Sequence, residues 1–289
     1  MVLLYNRHWH IRILRPHTPG SILMQTDFLD TFLERSSRAT IRPETLEILE
    51  AEWEEYRRLD GTLDPEIHKE PGLVGVVAYF DCGKEIARGL SYDPDGEISD
   101  LFKEGVKALI QAEALFSADR GYATLEDYQA HLLPLLKNTC FYSSSPEGNP
   151  HIVQDKLRYH HRKNCLFTRF RTLSVYGTNE GYRIVGTFAD GWHEMQVDLH
   201  VRGKDYRITH ASAAFTRAPD ETCPGSTAAF DRLLGLALTP EEKRDALRCC
   251  GGSDGCAHLA DLVAEGVKAL HSPWVQNPRG DPWPRRRDA

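Results

Sequence analysis

No apolar run in the 289 residues approaches the roughly 20 that a helix needs to span a bilayer. The first residues do not form a secretory segment either, because Arg7, His8, His10, Arg12 and Arg15 interrupt their apolar stretches. A glycine-rich phosphate loop, a dinucleotide fingerprint and a Gly-x-Ser-x-Gly elbow are all missing, which tells against nucleotide, dehydrogenase and serine-hydrolase chemistry. Positive charge is in short supply: 35 Lys and Arg face 42 Asp and Glu, a net charge of −7. Broad nucleic-acid binding wants a basic face. The seven cysteines are odd in number and scattered, which fits free thiols in a reducing cytoplasm better than a disulfide framework. The expected partner is therefore a small-molecule substrate, with neither nucleic acid nor membrane.

What remains is ordinary for a globular chain: 41% hydrophobic and 27% charged residues, long enough for one full core or two smaller ones. Residues 1–23 are rich in His, Arg and Pro and read as a loose tail, with Met24 as a second candidate start. From Asp27 to about Asp60 the spacing of Leu46, Ile48, Leu49, Trp53 and Tyr56 predicts helix. Leu73 to Phe80 reads as a buried strand, and helices follow at about 97–117 and 124–138. Residues 24–142 thus form a mostly helical N-terminal region. A polar linker over Ser143–Pro150 marks a boundary.

The second half differs in kind. Leu166–Val175, Tyr182–Asp190, His193–Val201 and Tyr206–Phe215 read as strands separated by glycine-bearing turns, an antiparallel meander. Helices are expected over Thr227–Leu236, Pro240–Arg248 and from Asp254 to His271, and the tail 272–289 reads as disordered. The fold class is α+β: an antiparallel meander packed by C-terminal helices over 151–271, preceded by the helical region. One internal echo stands out. Asp100–Leu109 and Asp261–Leu270 agree at eight of ten positions, either a degenerate tandem duplication or the common reuse of Ala, Leu, Glu and Lys in helices.

Chemistry concentrates at two places. On the third strand of the meander His193 shares the inward face with Met195, Val197 and Leu199, and Asp190 points inward across the preceding turn. An inward Asp beside an inward His is costly unless the two are paired; pairing would orient the imidazole as a general base. The alternative is a structural contact that fixes the hairpin. Arg169 and Arg171 on an adjacent strand are candidates to hold a substrate anion, with a solvated strand face as the plainer reading. Tyr182, with Phe188 and Trp192 nearby, would suit an aromatic substrate, although aromatics in a sheet are core by default.

The second place is the helix start at Gly251-Gly252-Ser253-Asp254-Gly255-Cys256-Ala257-His258, where free N–H groups favour a thiolate or a bound anion. Residues two apart on a helix do not face each other, so Cys256 reads as a packed thiol and His258 as a residue lining a pocket. A zinc set of Cys223, Cys250, Cys256 and His258 lacks the usual close cysteine pairs. The expectation is no metal and no cofactor. Arg158-Tyr159-His160-His161-Arg162-Lys163 is a basic run that reads as a solvated linker.

Residues from about 165 to 270 resemble an uncharacterised bacterial family of unknown function, DUF2889. The resemblance rests on Arg169 and Arg171, on Gly181-Tyr182-Arg183-Ile184-Val185-Gly186, on Asp190, and on His193-Glu194-Met195, where the family tends to show His-Asp-Met. Cys223-Pro224, Leu234-Gly235-Leu236, Gly251-Gly252 and Gly255-Cys256-x-His258-Leu259 complete it. The family carries no established activity. The functional expectation therefore comes from the residues: a cofactor-independent enzyme of acid–base elimination or retro-aldol lyase type, with His193 as base, Asp190 as its orienter and Arg169 or Arg171 as anion clamp. A ligand-binding or assembly protein and a metal-dependent hydrolase using the Cys/His set are the alternatives.

Overall fold

In the computed structural model, which describes residues 1–16, 20–58, 66–144 and 162–276, the chain opens in strands. They are β1 (Val2–Leu14), β2 (Ile22–Asp30), β3 (Leu33–Ile41), β4 (Ile48–Arg58) and the short β5 (His68–Lys69). After α1 (Gly83–Gly89), α2 (Glu97–Ala112), α3 (Leu125–Leu136) and α4 (Phe141–Ser144) come β6 (Cys165–Gly177), β7 (Gly181–Asp190), β8 (Glu194–Arg202) and β9 (Ile208–Arg217). A run of 3-10 turns (Cys223–Leu233) leads into α5 (Lys243–Cys250), α6 (Ala257–Leu270) and α7 (Pro273–Gln276). The nine strands form an antiparallel sheet in which hydrogen-bonded neighbours run β5-β4-β3-β2-β1-β6-β7-β8-β9. No described helix is long and apolar enough to cross a membrane.

The helical N-terminal region expected from the sequence is therefore overturned. The loose tail is β1, whose buried Tyr5, Arg7, Trp9, Ile11 and Ile13 alternate with less buried neighbours, the two-residue period of a strand. The helix-like spacing between Leu46 and Tyr56 has a specific origin. The β3–β4 pairing slips between Glu34/Arg35 and between Thr40/Ile41, so Leu49 and Tyr56 are the two residues of β4 left over at bulges. Leu46 stands outside the strand with φ 61°. Remove those three and the period of two returns. Leu73–Phe80 is not a strand either: it is a 3-10 turn and a single bridge from Glu47 to Val77. The segment 145–150, residues 158–161 of the basic run and the tail 277–289 lie outside the described residues.

By its contacts the chain divides into two compact units. One comprises Met1–His8, Ala130–Val153 and Phe170–Pro282, the other Trp9–Gln129, Gln154–Arg169 and Trp283–Ala289. Each contains the same motif, and the second copy follows the first by 160 residues through the strands. Ile22↔Ile41 and Leu29↔Glu34 in β2–β3 recur as Tyr182↔Val201 and Ala189↔Glu194 in β7–β8. The bulges recur between Glu194/Met195 and His200/Val201. The bridge Glu47↔Val77 returns as Arg207↔Ala237. Leu46 and Tyr206, both with positive φ, lead into β4 and β9, while Gly75 and Gly235 turn at φ 87° and 82°. A non-glycine residue at positive φ is uncommon, so its recurrence at matched places marks an internal repeat. The echo in α2 and α6 is part of this repeat, displaced there by 161 residues.

The helical echo also yields a stability test. Gly105 on α2 packs against buried Met24, and a Cβ added there would sit 2.8 Å from the Met24 sulfur. Its counterpart Gly266 on α6 faces Ile184, with the nearest atom 3.6 Å away. Gly266→Ala is expected to be neutral or stabilising by up to about 1 kcal/mol, because glycine is a poor helix former. Gly105→Ala is expected to cost about 1–3 kcal/mol through overpacking. Chemical denaturation of the two variants measures the difference, and equal stabilities would show that Met24 gives way freely.

Candidate active site at the β7–β8 turn

The turn between β7 and β8 is built around one carboxylate. Asp190 Oδ1 accepts the backbone N–H groups of Trp192 and His193, both at 2.8 Å. The Asp190 N–H in turn donates to the His193 carbonyl at 2.9 Å. Arg217, at the end of β9, donates to the Asp190 carbonyl at 2.8 Å and its guanidinium lies 3.7 Å from Glu194. Sequence reasoning missed Arg217; the register Glu194↔Arg217 explains its place. The first copy shows what this scaffold does unaided. Asp30 Oδ1 accepts from the N–H groups of Phe32 and Leu33 at 2.7 Å, and Arg57 donates to the Asp30 carbonyl at 2.6 Å. The Asp-and-Arg clasp is thus a structural device common to both repeats. What differs is the next side chain: Leu33 in the first copy, His193 in the second.

His193 makes that difference chemical. Its Nδ1 lies 3.1 Å from Asp190 Oδ1, with the His193 side chain 11% exposed and that of Asp190 fully buried. A carboxylate on Nδ1 holds the tautomer with the proton there and leaves the Nε2 lone pair available. The ring meets a second imidazole, His258 on the first turn of α6, at 4.3 Å between centroids. Phe188, inward from β7, touches both, at 4.7 Å from His258 and 6.2 Å from His193. One donor atom from each of Asp190, His193 and His258 falls within 4.8 Å of the others. These three are therefore the described residues able to close on a cation.

Cys256 and His258 do meet, contrary to the helical-spacing argument. Cys256 is not in the helix but is its N-cap, with extended backbone at φ −130° and ψ 126°. Its sulfur lies 3.9 Å from His258 Nδ1. Burial pushes the Cys256 thiol up to about 12 and does the same to Cys250. Both stay protonated at neutral pH, so neither is the thiolate that the helix start would favour. Cys223 is buried and close enough to Cys256 to add to the latter's shift.

The other expected site residues stand elsewhere. Arg171 is buried, with its guanidinium 4.0 Å from Glu265 of α6, and Arg7 approaches the same carboxylate at 3.4 Å. Glu265 follows His258 by seven residues, about 10 Å along the helix, so this charged group belongs to a deeper layer of the helix–sheet contact. Arg169 is buried in the other unit and donates to Gln111. Tyr182 begins β7 at the far end from Asp190, roughly 27 Å away at the rise of a strand, and stacks on Tyr206 at 6.3 Å. The structure therefore gathers Asp190, His193 and His258 into one cluster, with Cys256 at its edge, and leaves Tyr182 out of it.

The second repeat is thus an antiparallel sheet-and-helix domain carrying a carboxylate-held imidazole at one turn, with a second imidazole from α6 against it. Residues 169–271, which frame that repeat, match the family described as a protein of unknown function, DUF2889. No curated protein matches the chain.

Proposed function

We propose that the chain is a cofactor-independent enzyme of the cytoplasm that acts on a small organic substrate by acid–base elimination or retro-aldol cleavage. His193 is the base and Asp190 its orienter. The observation that carries this reading is the 3.1 Å contact from Nδ1 to the carboxylate, made on a turn whose counterpart in the first repeat keeps the Asp but replaces the imidazole by Leu33. A histidine needed only to hold the hairpin would have no such dispensable counterpart. Phe188, in ring contact with both imidazoles, offers an aromatic face suited to an aromatic substrate from a catabolic route. All seven cysteines are thiols rather than disulfides, which accords with a reducing compartment.

The test combines turnover with metal content. The full chain is incubated in D2O with a panel of aromatic β-hydroxy ketones and acids, and deuterium uptake and cleavage are followed by NMR. Exchange or cleavage that survives chelation supports the reading. A folded protein inert toward the whole panel would favour a ligand-binding or assembly role in which the His–Asp contact only fixes the hairpin. About one metal per chain, lost on replacing His193 or His258, would instead favour metal-assisted chemistry at the same three residues.

A further inference from the structure

The two repeats place unlike side chains at matched positions around one spot. In the first, Arg35 of β3 reaches Glu55 of β4 at 2.8 Å and Glu97 of α2 at 2.7 Å. In the second, Met195 and Phe215 occupy the positions of Arg35 and Glu55, and His258 occupies that of Glu97. The first repeat closes this spot with an ion-pair network. The second carries two imidazoles there, both half-buried. An imidazole in ring contact with an oriented base is placed to hand over a proton within the same reaction.

We infer that His258 is a second catalytic group, the general acid of an elimination, an inference that rests on the reading of His193 as base. His193 Nε2 takes a proton from the substrate carbon next to a carbonyl. That C–H electron pair becomes the new carbon–carbon double bond, and the bond from the β-carbon to its oxygen breaks. The departing oxygen takes a proton from His258, leaving as water or an alcohol. One imidazole has gained a proton and the other has lost one, so the step balances without an oxidant or a metal. His193, Phe188, Asp190 and Cys256 are among the described residues that face His258. His258 acts as the imidazolium: its Nδ1–H faces the Cys256 sulfur, a weak acceptor, 3.9 Å away, and its Nε2–H is the proton given up, which leaves a neutral ring. Of the two chemistries proposed for the site, a second imidazole favours elimination, whose leaving oxygen needs that proton.

The experiment uses the full chain, a β-hydroxy aryl ketone, and its analogue in which a nitrophenoxide replaces the hydroxyl. Nitrophenoxide leaves without help from an acid. H258Q is expected to lower kcat on the hydroxyl substrate by about 10²-fold or more, while α-deuterium exchange persists. That loss should shrink at least about tenfold with the nitrophenoxide substrate. H193Q should lose both reactions and the exchange. Equal losses of H258Q on both substrates, or none on either, would overturn the acid role while leaving the base role standing. Full activity of H193Q would remove the base role first. H258N, read on the same pair of substrates, serves if H258Q does not fold.

Discussion

Replacing His193 with Gln is expected to leave a folded protein whose turnover falls by about 10²-fold or more, because Gln keeps hydrogen-bonding capacity but cannot act as a base near neutral pH. His193 lies at a turn held by main-chain bonds: the N–H groups of residues 192 and 193 go to Asp190 whatever the side chain. The Gln variant should therefore melt within a few degrees of the wild type. His193→Ala should also lose turnover, and it additionally gives up the ring contacts with Phe188 and His258, so its melting temperature should fall further. Turnover measured beside thermal melts separates the two effects. Unchanged turnover in a folded His193→Gln protein would move the site away from this residue, and His258 and Cys256 would be the next to replace.

The largest combined effect is expected at Asp190, where the two repeats provide an internal control. Asp190→Asn keeps an oxygen for the two backbone N–H groups but offers His193 a neutral acceptor or a competing donor. Stability should change little, and turnover should fall by about 10²-fold or more as the imidazole loses its fixed tautomer. Asp190→Ala leaves two N–H groups and the imidazole without their acceptor in a buried turn, at about 1–3 kcal/mol for each unsatisfied group. Asp30→Ala removes the same clasp from the first repeat, where the carboxylate accepts from the main chain of Phe32 and Leu33 and the matched side chain is no imidazole. It should lower stability by about 1–2 kcal/mol and leave turnover intact. If Asp30→Ala and Asp190→Asn reduced turnover alike, the carboxylate would be acting through the fold in both places rather than through His193.

The sequence and the structure agree most closely where turns punctuate the chain. In the second half, glycine and aspartate at 177–181, 190–191 and 203–205 separate runs that alternate cleanly, and the four strands and α6 lie within a few residues of their expected limits. In the first half, Leu49 and Tyr56 fill bulges with apolar side chains and imitate a helical stripe, whereas their counterparts in β9 are Thr209 and Thr216, which imitate nothing. β1 was legible in principle, since Tyr5, Trp9, Ile11 and Ile13 alternate with Asn6, His8, His10 and Arg12; the density of His and Arg disguised it. The Asp190–His193 contact was legible because a short turn joins the two residues. The partnership of His258 with His193 was not, because it depends on how a distant helix docks. Arg171 shows the converse: its position on a strand was readable, its burial against Glu265 was not.

The ion-pair network around Arg35 has a consequence for how such a chain can change. In a dimer of identical chains, any substitution appears at both symmetry-related places, so a residue that improves chemistry but weakens the scaffold does its damage twice. Here the two halves are covalently joined and mutate independently. The half with Arg35, Glu55 and Glu97 can keep a rigid, charge-locked form, while the half with His193 and His258 is free to vary the side chains around its two imidazoles. Diversity among relatives of this chain should accordingly be lopsided, gathering around positions 188–195 and 256–258 and sparing the matched positions of the other half.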